Sequence, residues 1–523
     1  MKKLLSFLLA CMIVAGMSTV FAETEESIKL TTVRVSSSTT TFDKNDPEKE
    51  SFYQNRWNTA YARELGIDLD MAWVAADNDS NSSKWTAAIA SGNVPDFAVV
   101  NDDVYIMLVE SGLVADMTEL FDEYASEDYK NSITESNIQA MTFDGKLLGL
   151  PMATPILNNV TMLFVRQDWL DQLNLPVPST VEEVISTAKA FQQAKLGGEN
   201  TIGILFNNRT GAEGKWDGFL NGFGAYDGIW IEKDNKLVYG NVQEEMKTAL
   251  LAMQDLYKQG IINPDFALTT SDLAQEYIVS GKCGIWYATR WTNSGSGVAL
   301  VESIEGAKES YAMPPSVEGQ QYKVQSEKPT TRYIFVSNKC EHPEAVVQII
   351  NKTFELYYND YYNYGIGEDG FLWYKYSVVS DKPEMATTTV DLAKATVAYE
   401  DTGEFMSKDP TAYPKFENWQ RALNGDPDIA KWYLMTYGHG TVSEVLAKGY
   451  DDGMYMMDAY AGLPTQTQTL MGDVINDELE AAMFEVVLGA DISVYENAVA
   501  NWYSNGGDQI TEEVNDWYRV NAE

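Results

Sequence analysis

Histidine is almost missing from this chain: 523 residues contain only His342 and His439. Cysteine is nearly as scarce, with Cys11, Cys283 and Cys340. So few of each exclude a disulfide-stapled scaffold, and the usual zinc-site spacings of cysteine and histidine are absent. Bases are also in short supply, with 37 lysines and arginines against 77 acids and a formal net charge of −40. Such a field repels nucleic acid and anionic lipid, so no nucleic-acid partner is expected. Beyond the first segment, no apolar run is long enough to cross a bilayer. No Gly-x-Ser-x-Gly elbow, Walker loop or dinucleotide fingerprint occurs, and no cofactor is expected. With so many acids, a chance pair of carboxylates is no signal of glycoside hydrolysis. Internal repeats and low-complexity linkers are missing too.

What is present begins with an export signal. Lys2 and Lys3 precede a mostly apolar stretch from Leu4 to Val20, and Val20-Phe21-Ala22 supplies a cleavage site after Ala22. Leu8-Leu9-Ala10-Cys11 offers a competing lipoprotein-type box with lipidation at Cys11. The apolar run before Cys11 is short and the residues after it stay apolar, which favours cleavage after Ala22. The expected location is outside the cytoplasmic membrane, periplasmic or extracellular at the cell surface. Cleavage would leave 35 bases against 77 acids. Of the two remaining cysteines, a single bridge and two separate buried thiols both stay open, the second being the simpler reading.

Periodicity then sets the fold class. Ile28 to Val35 and Leu69 to Ala75 are β-rich, and between them Phe52, Tyr53, Trp57, Ala60, Tyr61 and Leu65 recur at helical spacing before Gly66. This is a β-α-β unit. A helix over Lys84 to Ser91, a strand over Phe97 to Val100 and a helix over Asp103 to Ser111 extend it into a doubly wound α/β lobe. Strands at Leu147 to Met152 and Thr161 to Val165 follow. Ser179 is the expected cap, boxed with Glu182, of a helix whose stripe is Val181, Val184, Ile185, Ala188 and Phe191. Thr201 to Phe206, Cys283 to Tyr287 and Arg332 to Ser337 are further strands, so a second α/β lobe starts near residue 160. Helices are expected at Val242 to Tyr257, Asp272 to Val279 and Pro343 to Tyr357, with a mainly helical C-terminal third.

Six short elements in order then give the sequence a family likeness. They are Ala90-Ser91-Gly92 with Pro95-Asp96, Gly112-Leu113-Val114, Asp144-Gly145-Lys146 with Gly149-Leu150-Pro151, Arg166-Gln167-Asp168-Trp169-Leu170-Asp171, Gly281-Lys282-Cys283-Gly284, and the tail Glu512 to Tyr518. Together they resemble the extracellular solute-binding proteins of ABC importers, in the large lipoprotein and aldouronate-type subgroup. The resemblance implies a periplasmic-binding-protein-like α/β fold: two doubly wound lobes joined by a hinge, with a helical C-terminal extension. It implies a signal peptide over residues 1–22, a first lobe of 23–157 plus 292–335, and a second of 158–291 plus 336–523. It also implies a monomer that captures a carbohydrate, an oligosaccharide above all, and hands it to a membrane permease. An oligopeptide-binding importer component and a secreted glycoside hydrolase are the alternatives. The sequence departs from the family at Gln193 to Thr201, where the calcium loop of many large members has no counterpart. Asp43-Lys44-Asn45-Asp46 is the nearest substitute and lacks the glycine and distal glutamate such a loop needs.

Sugar recognition calls for flat aromatics against ring faces and for Asp, Asn or Arg on the hydroxyl rim. Mixtures of that kind occur at Trp216-Asp217, Trp286-Tyr287, Arg290-Trp291 and Trp373-Tyr374-Lys375. Asp102 follows a predicted strand, and the carboxyl ends of parallel strands are where such folds place ligands. Asn158 lies beside the expected hinge, Arg332 opens a predicted strand, and His439 sits between Gly438 and Gly440 in a loop. The expected ligand-binding set is therefore Trp216, Asp217, Trp286, Tyr287, Arg290, Trp291, Asp102, Asn158, Arg332, Trp373 and His439, with no catalytic residue and no metal. For each aromatic, core packing is the competing reading.

Overall fold

Parallel pairing starts where the period-2 pattern places it: Ile28–Val35 lies alongside Ile67–Ala75, with Ile28 opposite Ile67. The helix Arg56–Leu65 connects them. Its cap, Asn55, accepts from the backbone of Trp57 and Asn58, and Gly66 ends it at a φ of 67° that only glycine adopts without strain. These coordinates are a computed structural model describing residues 27–36, 50–152, 156–209, 211–326, 332–363, 378, 387–407, 409 and 412–521. The carboxylate of Asp96 accepts from both the backbone N–H and the hydroxyl of Thr31 at 2.7 Å. It fastens the next strand, Phe97–Val100, beside the first. That strand pairs antiparallel with Tyr333–Val336, which also takes Leu150–Pro151 as an antiparallel neighbour.

The second lobe centres on four strands in the order Glu309–Ala312, Thr161–Arg166, Cys283–Thr289, Ile202–Leu205. Thr161–Arg166 runs antiparallel to both neighbours, and only the Cys283–Thr289 pair with Ile202–Leu205 is parallel. The expected parallel winding is thus modified: the second lobe's sheet is mixed, and the first lobe holds a parallel pair beside a separate antiparallel sheet of three strands. The reason is the chain path. Thr161–Arg166 and Tyr333–Val336 enter their lobes directly from the opposite lobe, so they start at the near end of the sheet and run against the strands that arrive by a helical crossover.

Both faces of the second sheet are covered. Leu163, Val165, Ile285 and Tyr287 belong to one core, while Met162, Phe164, Trp286 and Ala288 belong to another on the reverse face. Alternation along a strand therefore buries every residue. Two expected boundaries move. Glu309–Ala312 pairs inside the second lobe and Leu300 packs there, whereas the expected division gives residues 292–335 to the first. Ala345, Val346, Ile349, Ile350 and Phe354, expected in the second lobe, complete the first core. In each case strand pairing and apolar packing decide the lobe. The helical extension packs through Leu479, Met483, Val486, Tyr495, Trp502 and Val514 into the second lobe's core.

Two local expectations shift as well. Thr180, not Ser179, caps the helix Val181–Gln193, because its hydroxyl accepts from Glu183 N at 3.1 Å. Ser179 instead donates its backbone N–H and hydroxyl to the Glu183 carboxylate, each at 2.8 Å. The Arg166 to Trp169 motif is a structural clasp. Buried Arg166 pairs with Asp168 through Nε at 2.8 Å and Nη2 at 2.7 Å and lies over the Trp169 ring. Asp168 in turn accepts from the backbone of Lys308 at 3.2 Å, which aligns the edge strand. Next to it, burial pushes the Glu309 carboxyl up to about 7, against the pull of the Tyr311 hydroxyl and Arg166.

Two stability predictions result. Because the folded pKa of Glu309 lies above its ordinary 4.5, the unfolded chain releases this proton first as pH rises. Stability from this group should fall between about pH 4.5 and 7, and Glu309→Gln should flatten that part of a urea-denaturation profile. Gly284 lies in the central strand, where a Cβ would sit 2.3 Å from the Phe191 ring and 2.8 Å from the Trp169 ring. Gly284→Val should destabilise by about 1–3 kcal/mol, read as a lower unfolding midpoint.

Candidate ligand cleft

Two cavities flank the segments where the chain passes between the lobes. The first, of about 480 Å³, opens at the carboxyl ends of Ile28–Val35 and Phe97–Val100. Its lining includes Arg34, Asn78, Asn81, Ser82 and Asn101 above the buried Trp85, with Met152 and Arg332 from the crossings. Two helices begin there. Asp77 caps Asn78–Ser91 by accepting from Ser80 N at 2.7 Å, and Asn101 caps Asp102–Glu110 through Val104 N at 3.3 Å. The second cavity, of about 240 Å³, is lined by Asn159, Arg209, Lys215, Trp216, Asp217 and Asp227, with Gln325 and Ser326 from the other crossing. The same two crossings therefore border both cavities.

The second cavity is built around Asp227. Its buried carboxylate accepts from Trp216 Nε1 at 2.8 Å, from Asn241 Nδ2 at 2.8 Å and from Arg209 Nη2 at 3.0 Å. Arg209 also pairs with Glu480 of the helix Asp473–Val487. From that helix, Phe484 stacks on Trp216 with ring centroids 4.8 Å apart. Burial pushes the Glu480 carboxyl up and Arg209 pulls it down. The backbone of Asp227 is held as well. Its N–H donates to Gln325 Oε1 at 3.0 Å and its carbonyl accepts from Gln325 Nε2 at 2.7 Å. Gln325 N donates in turn to Asn221 Oδ1 at 2.9 Å.

The structure brings some of the predicted residues to these cavities. Trp216 and Asp217 line the second, and Asp217 accepts from the Thr161 hydroxyl at 2.9 Å with Lys215 Nζ at 3.5 Å. Trp216 is only 2% exposed and is committed to Phe484, so it gives the cavity little ring surface. Arg332 lines the first cavity. Asp102 is not part of that lining; it is hydrogen-bonded to the buried Tyr333 hydroxyl, whose pKa rises through burial and then this carboxylate. Arg290, Trp291 and Asn158 form a separate cluster beside a crossing. Arg290 Nη2 donates to Asn158 Oδ1 at 2.7 Å, and its guanidinium covers the Trp291 ring at 4.0 Å. Trp291 keeps 36% of its surface exposed.

Others lie elsewhere. Trp286 and Tyr287 are fully buried on opposite faces of the central strand, stacked on Phe164 and Phe206, so the core reading replaces the ligand reading for both. His439 lines neither cavity. Its Nδ1 lies 2.8 Å from Glu444 and its Nε2 3.0 Å from Asp401. Those hydrogen bonds, Glu444 first, hold its pKa above 6.5. Trp373, Asp43 to Asp46 and the export segment lie outside the described residues. Sequence reasoning missed Arg34, Arg209, Asp227, Gln325 and Glu480. Asp227 follows Tyr226 in a doublet of the same kind as Trp216-Asp217 that the expected set leaves out, whereas Arg34, Arg209, Gln325 and Glu480 have no aromatic neighbour in sequence, and Arg209 finds its carboxylates only through the tertiary path.

Asp227 generates a direct prediction. Asp227→Leu leaves Arg209 with Glu480 alone and removes the acceptor of the buried Trp216 and Asn241 donors, so it should destabilise by about 3–5 kcal/mol in chemical denaturation. The second concerns His439. Since its folded pKa is raised, the contribution of its ion pairs should be complete below the unfolded pKa of about 6.5 and lost as pH rises through the folded value. An NMR titration should resolve it, with His342→Gln assigning the second ring.

Comparison with known proteins fits this geometry. The chain is 28% identical over 228 residues to the polygalacturonan/rhamnogalacturonan-binding protein YtcQ of Bacillus subtilis, covering 42% of this chain and 43% of that protein. It is 26% identical over 269 residues to lipoprotein LipO of the same organism, covering 50% and 52%. The chain thus spans about half the length of these curated relatives. Among solved structures, an HMO-binding, ABC-transporter-associated solute-binding protein from Bifidobacterium longum infantis superposes with a TM-score of 0.63 at 14% identity, covering 94% of this chain and 99% of that one. That likeness establishes the shared periplasmic-binding-protein-like fold. The bacterial extracellular solute-binding protein model matches residues 45–352, more than half of the sequence, and the chain belongs to that family.

Proposed function

We propose that this protein is the substrate-binding component of an ABC importer. It captures a carbohydrate, an oligosaccharide above all, outside the cytoplasmic membrane and delivers it unaltered to a membrane permease. The observation that carries this reading is the pair of polar cavities bordered by the same two crossings. Side chains such as Asn78, Asn81, Asn159 and Gln325 match hydroxyl rims, and exposed Trp291, braced by Arg290, offers a face for a ring. The carbohydrate named for YtcQ supports the ligand class.

In this mechanism the ligand docks on one lobe and the crossings flex. Closure is then a population shift driven by the ligand's preference for the closed form. The permease reads the closed form, and no bond of the ligand changes. The protein acts as a monomer, exported with cleavage after Ala22. Its lobes divide at the crossings, with Pro343–Asn363 returned to the first lobe.

Thermal unfolding against a panel of glycans and peptides tests this. At a ligand concentration 100 times Kd, the matching oligosaccharide should add about 2.7 kcal/mol of stability. Small-angle scattering should show a smaller radius of gyration in the same complex. Stabilisation by peptides with none by any saccharide would reject the carbohydrate reading.

A further inference from the structure

A third cavity lies away from the two described above. It measures about 270 Å³ and is lined by Ile106, Val109 and Phe143 from the first lobe and by Tyr460, Leu463 and Trp517 from the C-terminal extension. The first cavity takes Val104 from the same helix, Asp102–Glu110. At about 3.6 residues per turn, Ile106 and Val109 point to the opposite side of that helix from Val104. The third cavity therefore opens behind the helix that the first cavity faces.

The segment that closes it, residues 458–465, is rooted on the second lobe. Asp458 Oδ1 accepts from Trp230 N at 3.1 Å, and Ala459 N donates to Trp230 O at 2.9 Å. Tyr460 packs in the second core, edge-on to Trp517 with ring centroids 4.9 Å apart. Just beyond the segment, Thr467 Oγ1 donates to Glu513 Oε1 at 2.7 Å. Between these anchors Leu463 reaches the other lobe: it is 9% exposed and belongs to the first core. The Tyr460 hydroxyl donates to the Leu463 carbonyl, and Gly462 folds so close that a Cβ would sit 2.8 Å from the Tyr460 ring. Three residues span at most about 10 Å, so this turn offers little slack.

We propose that residues 460–463 form a rear strap that holds the empty protein open, with Leu463 setting the resting balance between open and closed forms. This rests on the lobe closure proposed above and adds the element that opposes it. When the lobes rotate about the crossings to narrow the cavities there, surfaces on the side away from those cavities separate. The strap is anchored in the second lobe, so separation draws Leu463 out of the first core. Apolar surface then returns to water, which is unfavourable. Binding must overcome that cost, because apparent affinity falls with the fraction of molecules in the competent form. The crossings supply the joint, and the strap supplies a preference between its two positions.

Small-angle scattering of the full mature protein without ligand tests this. Leu463→Ala should move the closed-to-open ratio about tenfold toward closed, read as a smaller radius of gyration. Leu463→Asp should move it further, since a carboxylate is not tolerated in the apolar socket. Leu463→Met should keep the wild-type radius. Val109→Ala trims the socket from the first lobe and should act in the same direction, with less than additive effect beside Leu463→Ala. It removes only a half-buried side chain, so one arm survives if a Leu463 variant fails to fold. An unchanged or larger radius in folded variants overturns the strap and leaves the carbohydrate reading standing. Compaction of the variants, with no wild-type response to any glycan of the panel, upholds the strap and rejects the carbohydrate reading. One fixed radius across variants and glycans alike overturns both.

Discussion

A single buried carboxylate, that of Asp227, organises the second half of the cleft. It collects donors from Arg209, Trp216 and Asn241, and its own backbone clasps Gln325 at the crossing. A charge out of water is tolerated only when its lone pairs are filled, and hydrogen bonds to a charged group contribute about 1.5–3 kcal/mol each. Through Arg209 the same node reaches Glu480, so the C-terminal helices become the support of the cavity wall. The wall, the crossing and the extension are thereby fixed relative to one another.

Rigidity elsewhere comes from aromatic packing. Trp286 on Phe164 and Tyr287 on Phe206 fill opposite faces of one sheet, and Trp85 meets Trp73 and Phe335 edge-on in the other lobe. Close-packed interiors resist continuous deformation, so relative motion concentrates where packing is thin. The crossings join the two packed cores, and their residues line both cavities. In the proposed mechanism, ligand contacts and the flexing joint share these short segments, which would let binding at one act directly on the other.

Much of the fold was legible along the chain. The β-α-β start, the Gly66 stop and the strands at Phe97, Thr161 and Cys283 follow from period and punctuation that act within a few residues. Family motifs located Asp96 and Arg166, although their work is to fasten strands, not ligand. The aromatic doublets were a weaker guide. Trp216-Asp217 reached a cavity, whereas Trp286-Tyr287 lies in a strand covered on both sides, where a continuous apolar run was the better signal. The lobe boundaries at 292 and 336 failed because a helix or strand carries no local mark of which core it will join.

By itself the sequence determined the element types, most of their ends, the acidic surface and the likeness to a two-lobed family, since each depends on neighbours within a turn or two. Tertiary structure alone decided the strand directions, which arise from the path between lobes. It also decided the cleft's electrostatics: Gln325 finds Asp227 across 98 residues, and Arg209 finds Glu480 in the distant tail. Propensity acts at short range, whereas the partner of a buried charge is whichever group the folded path brings within hydrogen-bond reach.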